Sequence, residues 1–256
     1  MNRIKARLQA GEFITAAWVD LGSPEVAELM VRHGWQVLVI DGEHGAGDLE
    51  QWVAVARAIA AAGGEAILRV PHGDPALLKR VLDRGFTSII VPMVDTADQA
   101  RAIAEACLYP GQGGRRGYGA SLARVSGFGA RADYVAEARD ELLLILQCES
   151  AESVGNLDGI CAVEGVGMVF IGPNDLSGTL GCFRELDSGP MRQAIGRIEA
   201  TCRAAGMPLG TITGGGRGWA DLRALGYGLA VGEADVPLLA QAARAAALAR
   251  DRDLAE

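Results

Sequence analysis

Four places in the chain carry side chains suited to acid–base or metal chemistry. They are Asp41-Gly42-Glu43-His44, Arg69, Gln147-Cys148-Glu149 and Gly172-Pro173-Asn174-Asp175. Each follows an apolar run that reads as a buried strand, and ends of parallel strands are where α/β folds place chemistry. A histidine near its ordinary pKa suits proton transfer at neutral pH. Alone, His44 would read as a capped loop residue; the two neighbouring acids and the other strand ends set it apart from His33, inside a helical pattern, and His72, in a turn. Residues two apart share a face of a strand, so Gln147 and Glu149 point together while Cys148 points toward a covering helix. A carboxylate ending such an apolar run needs a partner. Glu149 can pair with Arg69, or it can join Asp175 in holding a divalent cation that keeps part of its water shell. Arg69 is either a structural ion-pair partner or a clamp for a substrate carboxylate. Gly172-Pro173-Asn174 is either a plain turn or a source of backbone N–H groups for an anion.

The elements that must position these residues alternate from start to end. Strands are predicted at 14–19, 37–41, 66–70, 88–93, 142–147, 168–171, 208–212 and 228–231, each followed by a helical pattern. Ser23-Pro24, Asp74-Pro75 and Thr96 cap helices, and Gly34, Gly63-Gly64 and Gly85 end them. Eight strand–helix units in 256 residues, with no linker-like composition, predict one (β/α)8 barrel over 1–256. A dinucleotide-binding open sheet has little support, because no G-x-G-x-x-G follows the first strand. The segment 110–129 is rich in glycine and arginine and lacks periodicity, which marks it as a candidate functional loop.

Composition narrows the chemistry. The formal net charge of −8 argues against nucleic acid or an anionic membrane surface as partner. No apolar run reaches membrane-spanning length, and the N-terminus leads into an amphipathic helix without a secretory core. The five cysteines form no C-x-x-C pair, so neither a disulfide framework nor a zinc cluster follows, and a reducing cytoplasm is the simplest location. Lysine occurs only at Lys5 and Lys79, neither at a strand end. Carbonyl chemistry through a Schiff base is therefore disfavoured, and a metal is the other common electron sink.

At these residues the sequence resembles the HpcH/HpaI aldolase family, the metal-dependent 4-hydroxy-2-oxoheptanedioate aldolase-like enzymes of the phosphoenolpyruvate/pyruvate barrel superfamily. The resemblance is carried by Ile40-Asp41-Gly42-Glu43-His44, Val91-Pro92-Met93-Val94, Arg116-Gly117 with Leu122-Ala123-Arg124, Gln147-Cys148-Glu149 and the 169–177 stretch ending in Asp175-Leu176-Ser177. It spans nearly the whole chain. It implies a class II pyruvate aldolase that cleaves or forms 4-hydroxy-2-oxo acids from pyruvate and an aldehyde, with no organic cofactor. Glu149 and Asp175 would hold Mg2+ or Mn2+, or alternatively Co2+ or Zn2+. Arg69 would face the pyruvyl oxygen and its enolate, Gln147, Asn174 and Asp175 would help place substrate, and His44 would exchange a proton with the C4 hydroxyl. Asp41 and Glu43 would support His44. Asp83 matches the acid that raises the basicity of that histidine, on resemblance alone; by spacing it is the solvated last turn of a helix. The resemblance also implies a homo-oligomer, a hexamer, with the last helix, about 237–250, packing on a neighbour. Alternatives are a related lyase or decarboxylase acting on oxaloacetate or an acyl-CoA thioester, and a non-catalytic keto-acid-binding barrel, against which an intact His44 speaks. The departures are a longer 111–116 loop, Gly127-Phe128-Gly129, Asn174 in place of a small residue, and the glycine-rich loop 213–218; these loops are expected to face the aldehyde.

Overall fold

Alternating apolar runs and capped helices leave the backbone one economical solution, a sheet closed on itself inside a ring of helices. The computed structural model describes residues 2–255; Met1 and Glu256, part of the predicted domain span, lie outside the described residues. In chain order the elements are α1 (Arg3–Gln9), β1 (Ile14–Val19), α2 (Pro24–Arg32), β2 (Val37–Asp41), α3 (Leu49–Ala61), β3 (Glu65–Arg69), α4 (Pro75–Asp83), β4 (Ser88–Val91), α5 (Ala97–Cys107), α6 (Tyr134–Glu141), β5 (Leu143–Cys148), α7 (Ala151–Cys161), β6 (Val166–Ile171), α8 (Pro173–Thr179), α9 (Gly189–Ala205), β7 (Leu209–Ile212), α10 (Trp219–Ala224), β8 (Leu229–Ala234) and α11 (Asp235–Asp253). The strands pair in parallel in sequence order, and β8 closes on β1. The fold is the predicted (β/α)8 barrel. The differences are local: β4 stops at Val91, short of the predicted Met93, and α11 extends beyond 237–250 at both ends.

Strand alternation sorts the core into two compartments. One set of residues, including Ile14, Val39, Ile67, Ile145, Phe170 and Val231, fills the barrel interior, and Ile4 of α1 packs with it at the strands' N-terminal end. The opposite parity, including Leu38, Leu68, Leu146, Cys148 and Ile171, packs against the helices. Followed toward the strands' C-terminal ends, the inward parity continues from Ala16 to Trp18, Val39 to Asp41, Ile67 to Arg69 and Ile145 to Gln147 and Glu149. The periodicity that builds the apolar interior thus delivers the polar residues onto its upper rim. Gly210 is small because a Cβ there would lie 2.7 Å from the Phe170 ring.

The helix ends use the predicted caps. Ser23, Asp74 and Thr96 accept hydrogen bonds from the first-turn N–H groups, and Thr96 and Gln99 form a capping box. Among the described residues no helix is long and apolar enough to cross a membrane.

Candidate active site

Asp41 is the hub of the rim. Its Oδ1 accepts hydrogen bonds from Arg69 Nε at 3.0 Å and from the backbone N–H groups of Glu43 at 3.0 Å and His44 at 3.2 Å. Its Oδ2 accepts from Arg69 Nη2 at 2.7 Å. This fork-like pairing fixes Arg69 and at the same time shapes the turn that carries His44. Burial works against charge on Asp41, but Arg69 and the two N–H groups outweigh it and hold the carboxyl below its ordinary range. Glu43 Oε2 lies 3.1 Å from Arg69 Nη1 without making a hydrogen bond, and burial pushes its carboxyl up despite that cation. The Arg69 guanidinium also sits 4.5 Å from the centre of the Trp18 ring, which covers its face. Arg69 therefore pairs with Asp41 and Glu43, not with Glu149.

The His44 side chain is 68 % exposed, with Nε2 at 3.9 Å from Glu43 Oε2. Its turn is pressed against the end of β1. Ala46 N–H donates to the Asp20 carbonyl at 2.7 Å, and a Cβ on Gly45 would lie 2.4 Å from the Asp41 carbonyl oxygen. Only glycine fits there.

Glu149 is 1 % exposed. Its Oε1 accepts from Met93 N–H at 2.8 Å, and its Oε2 accepts from Gln147 Nε2. Met93 reaches it by adopting a left-handed backbone at φ 52°, an uncommon conformation for a residue with a side chain. Burial raises the Glu149 carboxyl, Gln147 and Met93 oppose that, and the charges of Glu43 and Asp175 reinforce it. Four acids and one arginine therefore share one electrostatic neighbourhood. Asp175 is exposed in the first turn of α8, and Asn174 beside it is exposed. The Asn174 carbonyl accepts from Ser177 Oγ at 2.6 Å.

Among the described residues no cluster of three or more histidine, cysteine or acidic side chains forms a metal cage. What stands ready is smaller: two carboxylates, and the buried Gln147 Oε1, which has no hydrogen-bond partner. Gly172 keeps this place open, since a Cβ there would lie 2.2 Å from Glu149 Oε2. Two oxygen donors and a buried amide oxygen fit a hard divalent ion that retains several waters, such as Mg2+ or Mn2+.

Two expectations fail within the chain. Asp83 is not brought to His44. It ends α4, next to the start of β4, at the opposite end of the barrel from the strand termini that carry His44 and Glu149. There its Oδ1 accepts from Arg116 Nη2 at 2.6 Å, and the Arg116 guanidinium lies 4.5 Å from the centre of the Tyr109 ring. The reason is topological: a helix after a parallel strand runs back, so its last residue lies at the strands' N-terminal end. The 110–129 loop is at that same end because it joins the end of α5 to α6. Arg116 N–H donates to the Leu108 carbonyl, and Arg124 Nη1 to the Arg84 carbonyl. It does not face the His44 rim of its own chain. The glycine-rich loop after β7 lies at the rim end but lines a cavity of about 320 Å3 on the outer side of β6 and β7, together with Leu186, Arg192 and Ile195. Gly214, Gly215 and Gly216 all have positive φ, which explains the glycine run.

Three contributors escaped the sequence reading: Trp18, Met93 and Asp20. Trp18 could have been found by extending the inward parity of β1. Asp20 directly follows the same strand, and burial together with Asp41 and Asp235 raises its carboxyl to about 6. Met93 acts through its backbone N–H, for which residue type carries no signal. His33 and His72 are as bland as expected, bonded to helix-end and turn backbone groups.

Known proteins are similar to this chain in sequence and architecture. The family model described as HpcH/HpaI aldolase/citrate lyase matches residues 15–240. A hydroxypyruvate/pyruvate aldolase of Agrobacterium fabrum is 40 % identical over 212 residues, covering 83 % of this chain and 79 % of that protein. A 2-keto-3-deoxy-L-rhamnonate aldolase of Shigella sonnei is 40 % identical over 210 residues, covering 80 % of this chain and 78 % of that protein. The crystal structure of an HpcH/HpaI aldolase/citrate lyase family protein from Burkholderia cenocepacia superposes with a TM-score of 0.91 at 34 % identity, covering 98 % of this chain and 100 % of that one.

Proposed function

Because the chain belongs to the HpcH/HpaI aldolase/citrate lyase family, we infer that it is a carbon–carbon lyase of the class II aldolase type, cleaving or forming a 4-hydroxy-2-oxo acid from pyruvate and an aldehyde. The observation that carries the reading is the buried Glu149 beside the unpartnered Gln147 Oε1, on the same rim as Arg69 and His44. Glu149 and Asp175 would hold the divalent ion, with Mg2+ and Mn2+ favoured over Co2+ or Zn2+ by the all-oxygen donor set. When bound, the ion supplies a Lewis acid for the 2-oxo acid carbonyl.

The chain's own residues supply the rest. Arg69 has five N–H donors, and its two hydrogen bonds to Asp41 leave three, from which the substrate's keto oxygen can be met as negative charge develops there. Asp41, Glu43 and the Trp18 ring hold that guanidinium in place before substrate arrives, so little reorganisation is needed. Gln147 and the backbone at Asn174 would orient the carboxylate half. His44, exposed at the rim, would accept the C4 hydroxyl proton in cleavage and return it in synthesis. If Asp83 serves a His44 it does so from another copy, since the two lie at opposite ends of one barrel. A hexamer, with α11 against a neighbour, supplies such a copy, and the exposed Tyr118, Leu122 and Phe128 of the 110–129 segment give it an apolar surface to bury. A reducing, cytoplasmic setting suits the five free thiols.

The test is pyruvate release from a panel of 4-hydroxy-2-oxo acids by protein stripped with EDTA and then resupplied with metals. Activity should vanish and return with Mg2+ or Mn2+, and Glu149→Gln should prevent the return. Turnover that survives complete metal removal would overturn the reading.

A further inference from the structure

Of the five free cysteines, two are brought together across 41 residues of sequence. Cys161 is the last residue of α7 and Cys202 lies in α9, and their sulfurs are 3.9 Å apart. The helices pack face to face here, with Leu157, Ile160 and Ile198 also buried in the layer outside the barrel. The two thiols differ in setting. Cys161 is half-buried and reachable from solvent, whereas Cys202 is fully buried. A third thiol, Cys148, lies behind them on the outer face of β5, but it is buried and bonded to Ser153 Oγ at 3.2 Å.

We propose that Cys161 and Cys202 are a peroxide-reactive pair that closes to a disulfide between α7 and α9. The geometry asks for little: closing from 3.9 Å to a bonded S–S distance of about 2 Å is within reach of side-chain rotation when the helices are already in contact. The order of events follows from exposure. Peroxide reaches Cys161 first, and its thiolate attacks one peroxide oxygen to give Cys161 sulfenic acid and release hydroxide or water. The Cys202 sulfur then displaces the hydroxyl of the sulfenic acid. The S–S bond forms, the S–O bond breaks, and the Cys202 proton leaves with the oxygen as water. Overall the two thiols lose two electrons and two protons, and the peroxide is reduced to two waters. The hydrogen bond from Cys202 also favours the thiolate of Cys161, lowering that thiol below its usual range, while the same contact, and burial after it, push Cys202 up. The attacking and resolving roles thus fall to different residues.

The bridge would tie the helix that follows Glu149 to the helix that follows α8, which carries Asp175. The proposal concerns the thiols alone and stands whatever reaction the rim performs.

The experiment treats the full-length protein with hydrogen peroxide, quenches with catalase, and counts thiols after denaturation and alkylation. The expected result is loss of two of the five thiols, a fall in intact mass of about 2 Da, and recovery of both on adding dithiothreitol. Cys161→Ser and, separately, Cys202→Ala should each abolish the mass loss, and Cys148→Ser should leave it intact. Retention of all five thiols, a bridge that persists in Cys161→Ser, or oxygen addition to Cys161 without loss of the Cys202 thiol would each overturn the proposal.

Discussion

Asp20 offers the sharpest test of the rim's electrostatics, because its replacement should make the protein more stable. Its carboxyl is raised from 3.8 to about 6, first by burial and then by the charges of Asp41 and Asp235. An acid whose folded pKa lies above its unfolded value favours the folded state in its protonated form. That contribution is fully present below pH 3.8 and is lost as pH rises through about 6. Above that, the folded protein carries an unfavourable charge that Asn does not. At about 1.4 kcal/mol per pH unit the shift corresponds to roughly 3 kcal/mol, which screening at a half-buried carboxylate reduces to about 1–2 kcal/mol. For a chain of this size that is a rise in melting temperature of about 3–6 °C. The assay is thermal unfolding of wild type and Asp20→Asn in EDTA-containing buffer at pH 8 and pH 5. The variant should melt higher at pH 8, and the difference should shrink at pH 5. A variant that melts lower at pH 8, or a difference that is the same at both pH values, would refute the crowding of Asp20 by Asp41 and Asp235.

Other perturbations separate the reaction from the scaffold. His44→Ala should reduce turnover by about a hundredfold or more while leaving the melting temperature unchanged, since the ring is exposed and packs little; an active variant removes His44 from the mechanism. Gly172→Ala should weaken metal activation, measured as the Mn2+ concentration for half-maximal rate, because its Cβ would overlap Glu149 Oε2. An unchanged metal requirement would place the ion elsewhere. Arg116→Met should lower stability by about 3 kcal/mol in denaturant titration by stranding Asp83 and removing the cation held against the Tyr109 ring; a neutral result would show that pair to be dispensable.

The barrel was legible because its signals are local and repeated: apolar runs of strand length, helix caps such as Ser23-Pro24, and glycine stops. The inward parity of β5 correctly put Gln147 with Glu149 and Cys148 on the other side. What could not be read was which strand end meets which. Spacing offered Glu149 as a partner for Arg69, and register decided for β2 instead: Asp41 lies directly across from Arg69 in the sheet. Asp83 shows the opposite failure. The resemblance pairs it with His44, whereas its place at the end of the helix returning from β3 puts it at the other end of the barrel. The Cys161–Cys202 approach depends on how two helices cross, which no spacing rule encodes.

The carboxylate of Asp235 has a consequence for how the protein is made. It opens α11, is buried, and accepts the backbone N–H groups of Asp20 and Leu21 at 3.0 Å each. The residues it holds directly follow the first strand, and that backbone in turn holds the His44 turn through Ala46. On the ribosome, β1 and β2 emerge long before residue 235. The Asp20–Leu21 backbone, against which the His44 turn is bonded, must then wait for α11 before its N–H groups are satisfied. A nascent chain stalled before Asp235 carries all eight strands but lacks the carboxylate that holds Asp20 and Leu21, and chaperone recognition or proteolysis at the Asp20–Ala46 edge would report it.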